Sequence, residues 1–182
     1  RKLREPKVYK KSMQTIFEQS KQIESIVEQL LLLTKYSKDN IKESFELCNL
    51  DSILLACIDN YDEQLKAKDL HLEIRRLEVI LLNANPILMN SIFSNLLDNA
   101  IKYTPKGKNI YIELYQSDKI VFSVKDEGIG IAKEQLNKVT DRFYRVDESR
   151  HIKGFGLGLS IVKNSVELHE GSLIFDSSLE RG

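Results

Sequence analysis

The sequence predicts an α+β fold in which helices pack on a mixed sheet, preceded by one long helix. Three patterns predict it: an apolar heptad repeat near the N-terminus, short alternating segments interleaved with helical ones, and a hairpin signal in the middle of the chain. The 182 residues are 42% hydrophobic and 30% charged, with only 8 Gly and 3 Pro. Such a composition supports a real core, so we expect a two-layer α/β sandwich rather than a disordered chain.

The N-terminal part predicts a single helix of about 30 residues, from Val8 to Lys38. Its apolar residues recur every seven positions, in two sets offset by three. They are Ile16, Ile23 and Leu30, and Ile26 and Leu33. This spacing is typical of a coiled-coil seam. Because one helix cannot bury such a stripe alone, we expect a partner helix, from another chain or from a segment outside these residues.

A polar linker is expected from Lys38 to Ser44, followed by one domain. Asn85 and Pro86 predict a helix start, since Asn is a good N-cap and Pro suits the first helical position. The predicted elements of the domain are a helix at Asn49–Lys66, a strand at His71–Leu77, an apolar run at Val79–Leu82, a helix from Asn85 to about Tyr103, a hairpin of Asn109–Tyr115 and Ile120–Asp126, a helix at Leu157–His169 and a strand at Ser172–Phe175.

Charge and cysteine content exclude several classes of protein. Lys+Arg and Asp+Glu are both 27, so the net charge is zero, and we expect no nucleic-acid partner because phosphate-backbone binders usually have a basic surplus. The two cysteines, Cys48 and Cys57, are too few for a disulfide scaffold and fit no common zinc spacing. The longest apolar run, Leu30–Leu33, is far too short for a membrane span. We expect a soluble part of a longer protein.

One face of the helix that starts at Asn85 carries polar groups. Asn95, Asn99 and Lys102 are four and three positions apart, so they lie on the same face. Two amides and a cation suit a phosphate and metal surface, because Mg²⁺ can take one side-chain oxygen while phosphate and water complete its octahedron. The alternative is an ordinary solvated face of an amphipathic helix.

Two glycine-containing stretches have features of a nucleotide site. In Asp126–Ile131 a carboxylate follows a strand and can accept a hydrogen bond from an exocyclic amine, while its glycines let the backbone approach a flat ring. An ordinary Asp-x-Gly turn is the alternative. Gly154–Val162 opens a helix, where exposed N–H groups can bind an anion. The dinucleotide and phosphate-loop fingerprints are both absent.

Between these stretches lies Asp141–Lys153, which is polar, rich in cations and begins with two aromatic residues. This composition suits a flap that closes over a charged ligand. A plain surface loop is the alternative reading of the same residues.

The order of these four motifs resembles that of the ATP-binding domain of sensor histidine kinases, within the broader family that includes gyrase B, Hsp90 and MutL. The corresponding segments are the N box (Asn95–Tyr103), the G1 box (Asp126–Gly130), the F box (Phe143–Arg145) and the G2 box (Gly154–Leu159). The resemblance implies the Bergerat-type ATP-binding fold for residues 41–182, with the last strand of the family cut off. It also implies that residues 1–40 are the second helix of the dimerisation hairpin plus a linker.

The resemblance implies that ATP and Mg²⁺ bind here. By similarity, Asn99 would coordinate Mg²⁺ and Asn95 would contact metal-bound water or phosphate. Lys102 would contact a phosphate, and Tyr103 would lie against the nucleotide. Asp126 would accept a hydrogen bond from the adenine amine. The residues implied beside Asp126 in the adenine wall are Gly128, Gly130 and Ile131.

The F and G2 boxes are implied to serve the phosphate end. Tyr144 and Arg145 would lie near the base, ribose or phosphates, and Arg145 is the candidate catalytic residue for charge stabilisation during transfer. The residues implied to offer backbone groups to the phosphates are Gly154, Gly156, Leu157, Gly158 and Leu159.

Asn95 stands where gyrase-like hydrolases carry the Glu that activates water, which favours transfer to a histidine and then to an Asp of a cognate response regulator. None of His71, His151 and His169 has the phospho-acceptor context of the family, so the acceptor is expected outside these residues. The resemblance further implies a homodimer and a cytoplasmic domain of a bacterial plasma-membrane protein. The alternatives are a Hsp90- or gyrase-like ATPase, and a degenerate kinase that dimerises without binding nucleotide.

Overall fold

The computed structural model describes residues 6–146 and 154–178. Its contacts divide the chain into two units, residues 1–35 and 36–182. The first unit contains helix α1, Pro6–Lys35, which confirms the predicted long helix with an end three residues earlier. Ile16, Ile23 and Leu30 of the predicted seam are exposed on it. Within the described ranges, no helix combines the length and apolar content needed to cross a bilayer.

The second unit alternates strands and helices, as the sequence predicts. Its elements are a 3-10 turn at Ile41–Ser44, β1 Glu46–Asn49, α2 Leu50–Asp59, α3 Asp62–Ala67, β2 His71–Leu77, β3 Leu81–Ala84, α4 Pro86–Tyr103, β4 Asn109–Gln116, β5 Ile120–Asp126, α5 Lys133–Leu136 and α6 Gly158–Leu168. Strand β4 lies between β2, to which it is parallel, and β5, to which it is antiparallel. Strands β1 and β3 form a separate antiparallel pair. The mixed sheet and the α+β class are therefore confirmed.

The core lies between the sheet and the helices that cover it. Every second residue of β4 is buried, so one face of that strand points to the core. Leu54 of α2, Leu97 of α4, Ile112 and Leu114 of β4 and Val162 of α6 belong to one fully buried cluster. Each such side chain contributes about 1.5–3 kcal/mol on burial. This packing holds α4 firmly against the sheet, with α2 and α6 beside it.

Helix α4 begins and ends where its sequence predicts. The Asn85 side chain accepts a hydrogen bond from the Leu88 N–H at 3.0 Å, and Pro86 occupies the first turn. This satisfies one of the N–H groups that a helix start leaves without a partner. At the other end, Thr104 has an extended backbone and ends the helix.

The prediction of one continuous helix at Asn49–Lys66 is wrong. The segment divides into α2 and α3 at Asn60, and the residues just before it form β1. At this break the Tyr61 hydroxyl donates to the Ser94 carbonyl of α4 at 3.1 Å. This contact joins residues far apart in sequence, so local helical periodicity could not reveal it.

The segment predicted as a polar linker is folded onto the second unit. Ile41, at the start of its 3-10 turn, is only 1% exposed. The Ser44 hydroxyl accepts a hydrogen bond from the Asn85 side chain at 2.8 Å. The turn is therefore part of the domain, because Ile41 is buried and Ser44 bonds the residue that caps α4.

The predicted strand at Ser172–Phe175 is also wrong. Leu173 packs against the core, whereas Ile174 is exposed, so the segment does alternate as a strand would. Alternation is not enough, because a strand needs a neighbour for its N–H and C=O groups. In the part of the chain that the structure describes, this segment joins no sheet.

The side chain of His169 lies at the end of α6, with both ring nitrogens engaged. Nδ1 donates to the Ser165 carbonyl at 2.7 Å, and Nε2 accepts from the Asn85 N–H at 3.1 Å. The Phe45 ring stacks on the imidazole at 4.8 Å between centroids. Burial lowers the pKa of His169. Protonation of Nε2 would break the bond to Asn85, so the folded domain favours the neutral imidazole.

We therefore expect the free energy of unfolding to fall as the pH drops below about 6.5, because the unfolded chain then binds a proton more readily than the native one. Each unit of pKa difference is worth about 1.4 kcal/mol. Urea denaturation between about pH 5.5 and 8 measures this slope. His169→Gln should flatten it, whereas the exposed His71→Gln should not. Equal slopes for His169→Gln and the unmodified chain would contradict the assignment.

Candidate functional site

Helix α4 presents its predicted polar residues on the side that the core leaves free. Asn95 and Asn99 are half-buried, whereas Leu97 is fully buried on the opposite side. The Asn95 Nδ2 group donates to the Ser91 carbonyl at 2.8 Å and to the Ser91 hydroxyl at 3.2 Å. Its Oδ1 faces Gly158 at the start of α6. Sequence reasoning missed Ser91, although its spacing four residues before Asn95 is a detectable signal.

Lys102 lies on the same helix, and its side chain forms an ion pair. Its Nζ lies 2.5 Å from Oδ2 of Asp98, and the two side chains are 33% and 32% exposed. Asp98 is a second residue that sequence reasoning missed, although the four-residue spacing of opposite charges indicates such a pair. Partly exposed pairs of this kind are worth only about 0–1 kcal/mol. An anion that binds Lys102 more tightly, such as a phosphate, can therefore replace Asp98 in this ion pair.

The last residue of β5 is a half-buried carboxylate. Oδ1 of Asp126 accepts a hydrogen bond from the Gly128 N–H at 2.9 Å. Burial raises the pKa of Asp126, and the bond from Gly128 opposes this only in part. A Cβ at Gly128 would lie 2.3 Å from Asp126 Oδ1 and 3.0 Å from the Tyr103 carbonyl oxygen, so a side chain here would displace the Asp126 carboxylate. Gly130 adopts a φ of +72°, which glycine permits at little cost.

The loop after β5 is attached to the end of α4. The Ile129 N–H donates to the Tyr103 carbonyl at 3.3 Å, next to the half-buried Tyr103 side chain. The Ile131 N–H donates to the Ser177 hydroxyl at 2.9 Å, which sequence reasoning did not foresee. These bonds hold the predicted adenine wall beside the last turn of α4.

The aromatic segment and the glycine segment contact each other directly. The Phe143 N–H donates to the Gly156 carbonyl at 2.8 Å. Gly156 has a φ of +70°, and a Cβ there would lie 2.4 Å from the Tyr144 carbonyl oxygen. Arg145 Nη1 donates to the Gly154 carbonyl at 2.9 Å. Phe143 itself has a φ of +65°, a strained conformation for a residue with a side chain.

The start of α6 faces the polar side of α4. A Cβ at Gly158 would lie 2.8 Å from Asn95 Oδ1, so the two helices approach closely here. Leu157 is 1% exposed and anchors the chain in the core, while Leu159 is half-buried. The first N–H groups of a helix have no partner within it, and the helix dipole makes this end positive. An anion is the ligand that such an end favours.

The structure thus brings two of the other motifs against α4, at two places, and the aromatic segment against the glycine segment. Asp126 and Gly128 lie at its last turn, whereas Gly158 lies beside Asn95, eight residues earlier. At 1.5 Å per residue the two places are about 12 Å apart along the helix axis. A ligand with a hydrogen-bonding ring at one end and an anion at the other fits this arrangement. Of the predicted flap, Asp141–Lys153, residues 147–153 lie outside the described residues, and His151 is among them.

The sequence model of the histidine kinase-, DNA gyrase B- and HSP90-like ATPase family matches residues 84–182. The chain belongs to this family. The match includes α4, the Asp126 loop and the glycine segment before α6, so the ATPase domain contains the whole candidate site. Membership implies that the domain binds ATP.

Similar full-length proteins are sensor kinases. The chain is 31% identical over 163 residues to the sensor protein KdpD of Clostridium acetobutylicum. The aligned region covers 87% of this chain and 18% of that protein. It is 34% identical over 165 residues to the sensor histidine kinase WalK of Bacillus subtilis. This aligned region covers 86% of this chain and 26% of that protein. The chain spans well under half the length of the curated relatives that it matches. These likenesses support the histidine kinase prediction over the two alternatives.

Solved structures of similar fold are also histidine kinases. The mycobacterial sensor histidine kinase MprB superposes with a TM-score of 0.63 at 26% identity, over 70% of this chain and 82% of that one. Full-length ShkA in complex with AMPPNP superposes with a TM-score of 0.74 at 20% identity, over 97% of this chain and 38% of that one. Because its identity is only 20%, the second likeness is evidence for the fold and for nothing further.

Proposed function

We propose that this ATPase domain binds Mg-ATP and transfers the γ-phosphoryl group to a histidine outside these 182 residues. The observation that supports this most is that the loop after Asp126 and the start of α6 both contact α4, with a carboxylate at one end and a helix N-terminus at the other. The aromatic segment in turn contacts the glycine segment. Phosphoryl transfer depends mainly on positioning and on neutralised charge, which such an arrangement can supply.

Asp126 would recognise adenine by accepting a hydrogen bond from its exocyclic amine. Its half-buried carboxylate with a raised pKa fits this role, because a desolvated acceptor gains most from a new donor. Gly128 and Gly130 would let the loop backbone lie against the ring. Ile131 would complete this wall, and Tyr103 would lie against the nucleotide from α4.

The phosphates would lie at the start of α6. The N–H groups of the glycine segment would donate to them, from Gly154 and Gly156 to Leu157, Gly158 and Leu159. Lys102 would exchange Asp98 for a phosphate oxygen, since its present pair is weak. Arg145, with Tyr144 beside it, would lie close to these groups and stabilise charge during transfer.

Asn99 would ligate Mg²⁺ through its amide oxygen, with Asn95 contacting a phosphate or a metal-bound water. When bound, the metal neutralises charge on the phosphate oxygens. Asn99 fits this role because its half-buried amide lies one turn beyond Asn95 on the free side of α4. Mg²⁺ takes few protein oxygens and keeps phosphate and water as its other ligands.

Asn95 favours transfer to a protein group over hydrolysis. A neutral amide cannot remove a proton from water, and the Nδ2 group of Asn95 is already bonded to Ser91. In the whole protein, α1 would be the second helix of a dimerisation hairpin that carries the acceptor histidine. A response-regulator Asp would then receive the phosphoryl group, and the parent protein would be a membrane-bound homodimer.

Asn99→Ala should lower Mg-ATP affinity by at least about tenfold and remove its dependence on Mg²⁺, because the amide oxygen is the proposed protein ligand of the metal. Calorimetry with a non-hydrolysable ATP analogue, with and without Mg²⁺, measures both effects. Asn90→Ala is the matched control, since Asn90 is exposed on the same helix. Equal Mg²⁺ dependence in Asn99→Ala and Asn90→Ala would contradict the metal assignment.

Two further outcomes separate the competing functions. Steady phosphate release from ATP without any acceptor protein would favour a gyrase-like hydrolase. No binding of the analogue by the unmodified chain would favour a non-catalytic module. A phosphohistidine formed on these 182 residues alone would contradict an external acceptor.

A further inference from the structure

The ammonium group of Lys68 binds the C-terminal end of α4. Its Nζ donates to the carbonyl oxygens of Ile101, Lys102 and Thr104 at 2.6, 3.0 and 3.0 Å. The last carbonyls of a helix have no partner within it, and the helix dipole makes this end negative. A cation that bonds three such oxygens therefore stabilises the last turn in one conformation.

The carbonyls beside these three also have partners. The Ala100 carbonyl accepts from the Thr104 N–H at 3.0 Å, and the Tyr103 carbonyl accepts from the Ile129 N–H at 3.3 Å. Lys68 and the loop of Asp126 thus bind neighbouring peptide groups of the same helical turn. Any shift of this turn would move the Tyr103 carbonyl and, with it, the loop that Ile129 belongs to.

The backbone of Lys68 lies in a turn that packs against the rest of the domain. It follows α3, and the next residue, Asp69, has a left-handed φ of 54°. The Asp69 carbonyl accepts from the Gly107 N–H at 3.1 Å, which joins this turn to the one after α4. On either side of Lys68, Leu65 and Leu70 pack against Ala100, Ile101 and Ile110 in a second buried cluster. Burial lowers the pKa of Lys68, as expected for a partly buried ammonium group.

We propose that Lys68 is a positioning residue for the adenine end of the nucleotide site. Its ammonium fixes the last turn of α4, and the bond between Tyr103 and Ile129 passes this constraint to the loop of Gly128, directly after Asp126. The inference deepens the proposed function and rests on it. It explains why a cation without a place in any of the four motifs is held against the end of the motif helix.

The test compares three variants of the whole chain. Lys68→Met removes the cation and keeps most of its aliphatic stem, whereas Lys68→Arg keeps the charge. Lys66→Met is the matched control, because Lys66 lies on α3 two residues before Lys68, is exposed and pairs only with Asp62 among the ion pairs described. Thermal denaturation shows how much stability each variant loses.

The first readout needs no nucleotide. In Lys68→Met, hydrogen exchange of the Ile129 amide should become at least about tenfold faster than in the unmodified chain, since its acceptor is no longer held in place. Lys66→Met should leave this rate unchanged, and Lys68→Arg should restore most of the protection. If Lys68→Met does not fold, Lys68→Gln, which keeps one donor group, should show a smaller acceleration in the same direction.

The second readout is selectivity between ATP and GTP, measured by calorimetry below the unfolding transition. Lys68→Met should lower ATP affinity about tenfold or more and reduce the preference for ATP, because small displacements of a recognition loop are costly. A merely structural role would weaken both nucleotides equally or not at all, and that result would overturn the proposal. So would an unchanged Ile129 exchange rate. By contrast, absence of ATP binding by the unmodified chain would contradict the proposed function and not the coupling between Lys68 and Ile129.

Discussion

Asp126→Asn is expected to weaken ATP binding by at least about 100-fold while leaving the domain as stable as before or more stable. The substitution keeps the size of the side chain, and its Oδ1 can still accept from the Gly128 N–H. The second carboxylate oxygen becomes an NH₂ group, which turns a donor toward the adenine amine. Two donors then face each other in a half-buried place, which costs much more than the loss of a single contact.

The stability expectation follows from the pKa of Asp126, which burial raises above its ordinary value of about 3.9. The folded domain therefore disfavours the ionised form. Any stability from this group is present below the ordinary pKa and is lost as the pH rises through the raised one. At neutral pH the carboxylate destabilises the fold, so a neutral amide removes this cost.

Calorimetry with ATP and thermal denaturation at pH 7 measure the two halves of this prediction. Asp118→Asn is the matched control, because Asp118 is exposed in the turn between β4 and β5. Unchanged ATP affinity in Asp126→Asn would contradict adenine recognition by this residue. A loss of affinity accompanied by an equal loss of stability would instead indicate a structural role.

Gly156→Ala is expected to lower ATP affinity by about 100-fold and to destabilise the domain by at least about 1–2 kcal/mol. The left-handed φ of +70° accounts for the strain. In addition, the new Cβ would lie 2.4 Å from the Tyr144 carbonyl oxygen and 2.8 Å from the Phe143 carbonyl carbon. Both are backbone atoms and cannot rotate away, so the aromatic segment must move and take Arg145 with it.

Two other glycines separate the causes of this effect. Gly154→Ala adds a Cβ that meets nothing within 4 Å at an ordinary φ, so affinity and stability should stay close to those of the unmodified chain. Gly107→Ala introduces strain at a φ of +77° in open space, so it should lose stability but keep ATP affinity. If Gly156→Ala behaved like Gly154→Ala, the close contact between the two segments would be refuted.

Several features of the fold could be read from short stretches of sequence. The start of α4 at Pro86, the strand β2 and the hairpin of β4 and β5 all agree with their predictions. Caps, alternation and turns are properties of residues within a few positions of each other, so the sequence contains them directly. The same holds for the shared face of Asn95, Asn99 and Lys102, although their roles toward ATP and Mg²⁺ stay predictions.

Other features exist only because distant segments meet. Tyr61, at the junction of α2 and α3, and Lys68, after α3, each bond α4 from 33 or more positions away, and the bonds from Lys68 cap the end of that helix. Ile41 is buried although it stands among polar neighbours, and Ser172–Phe175 alternates without a strand beside it. Local patterns indicate which face of a segment is apolar. Which partner bonds the N–H and C=O groups of that segment depends on the packing of the whole domain.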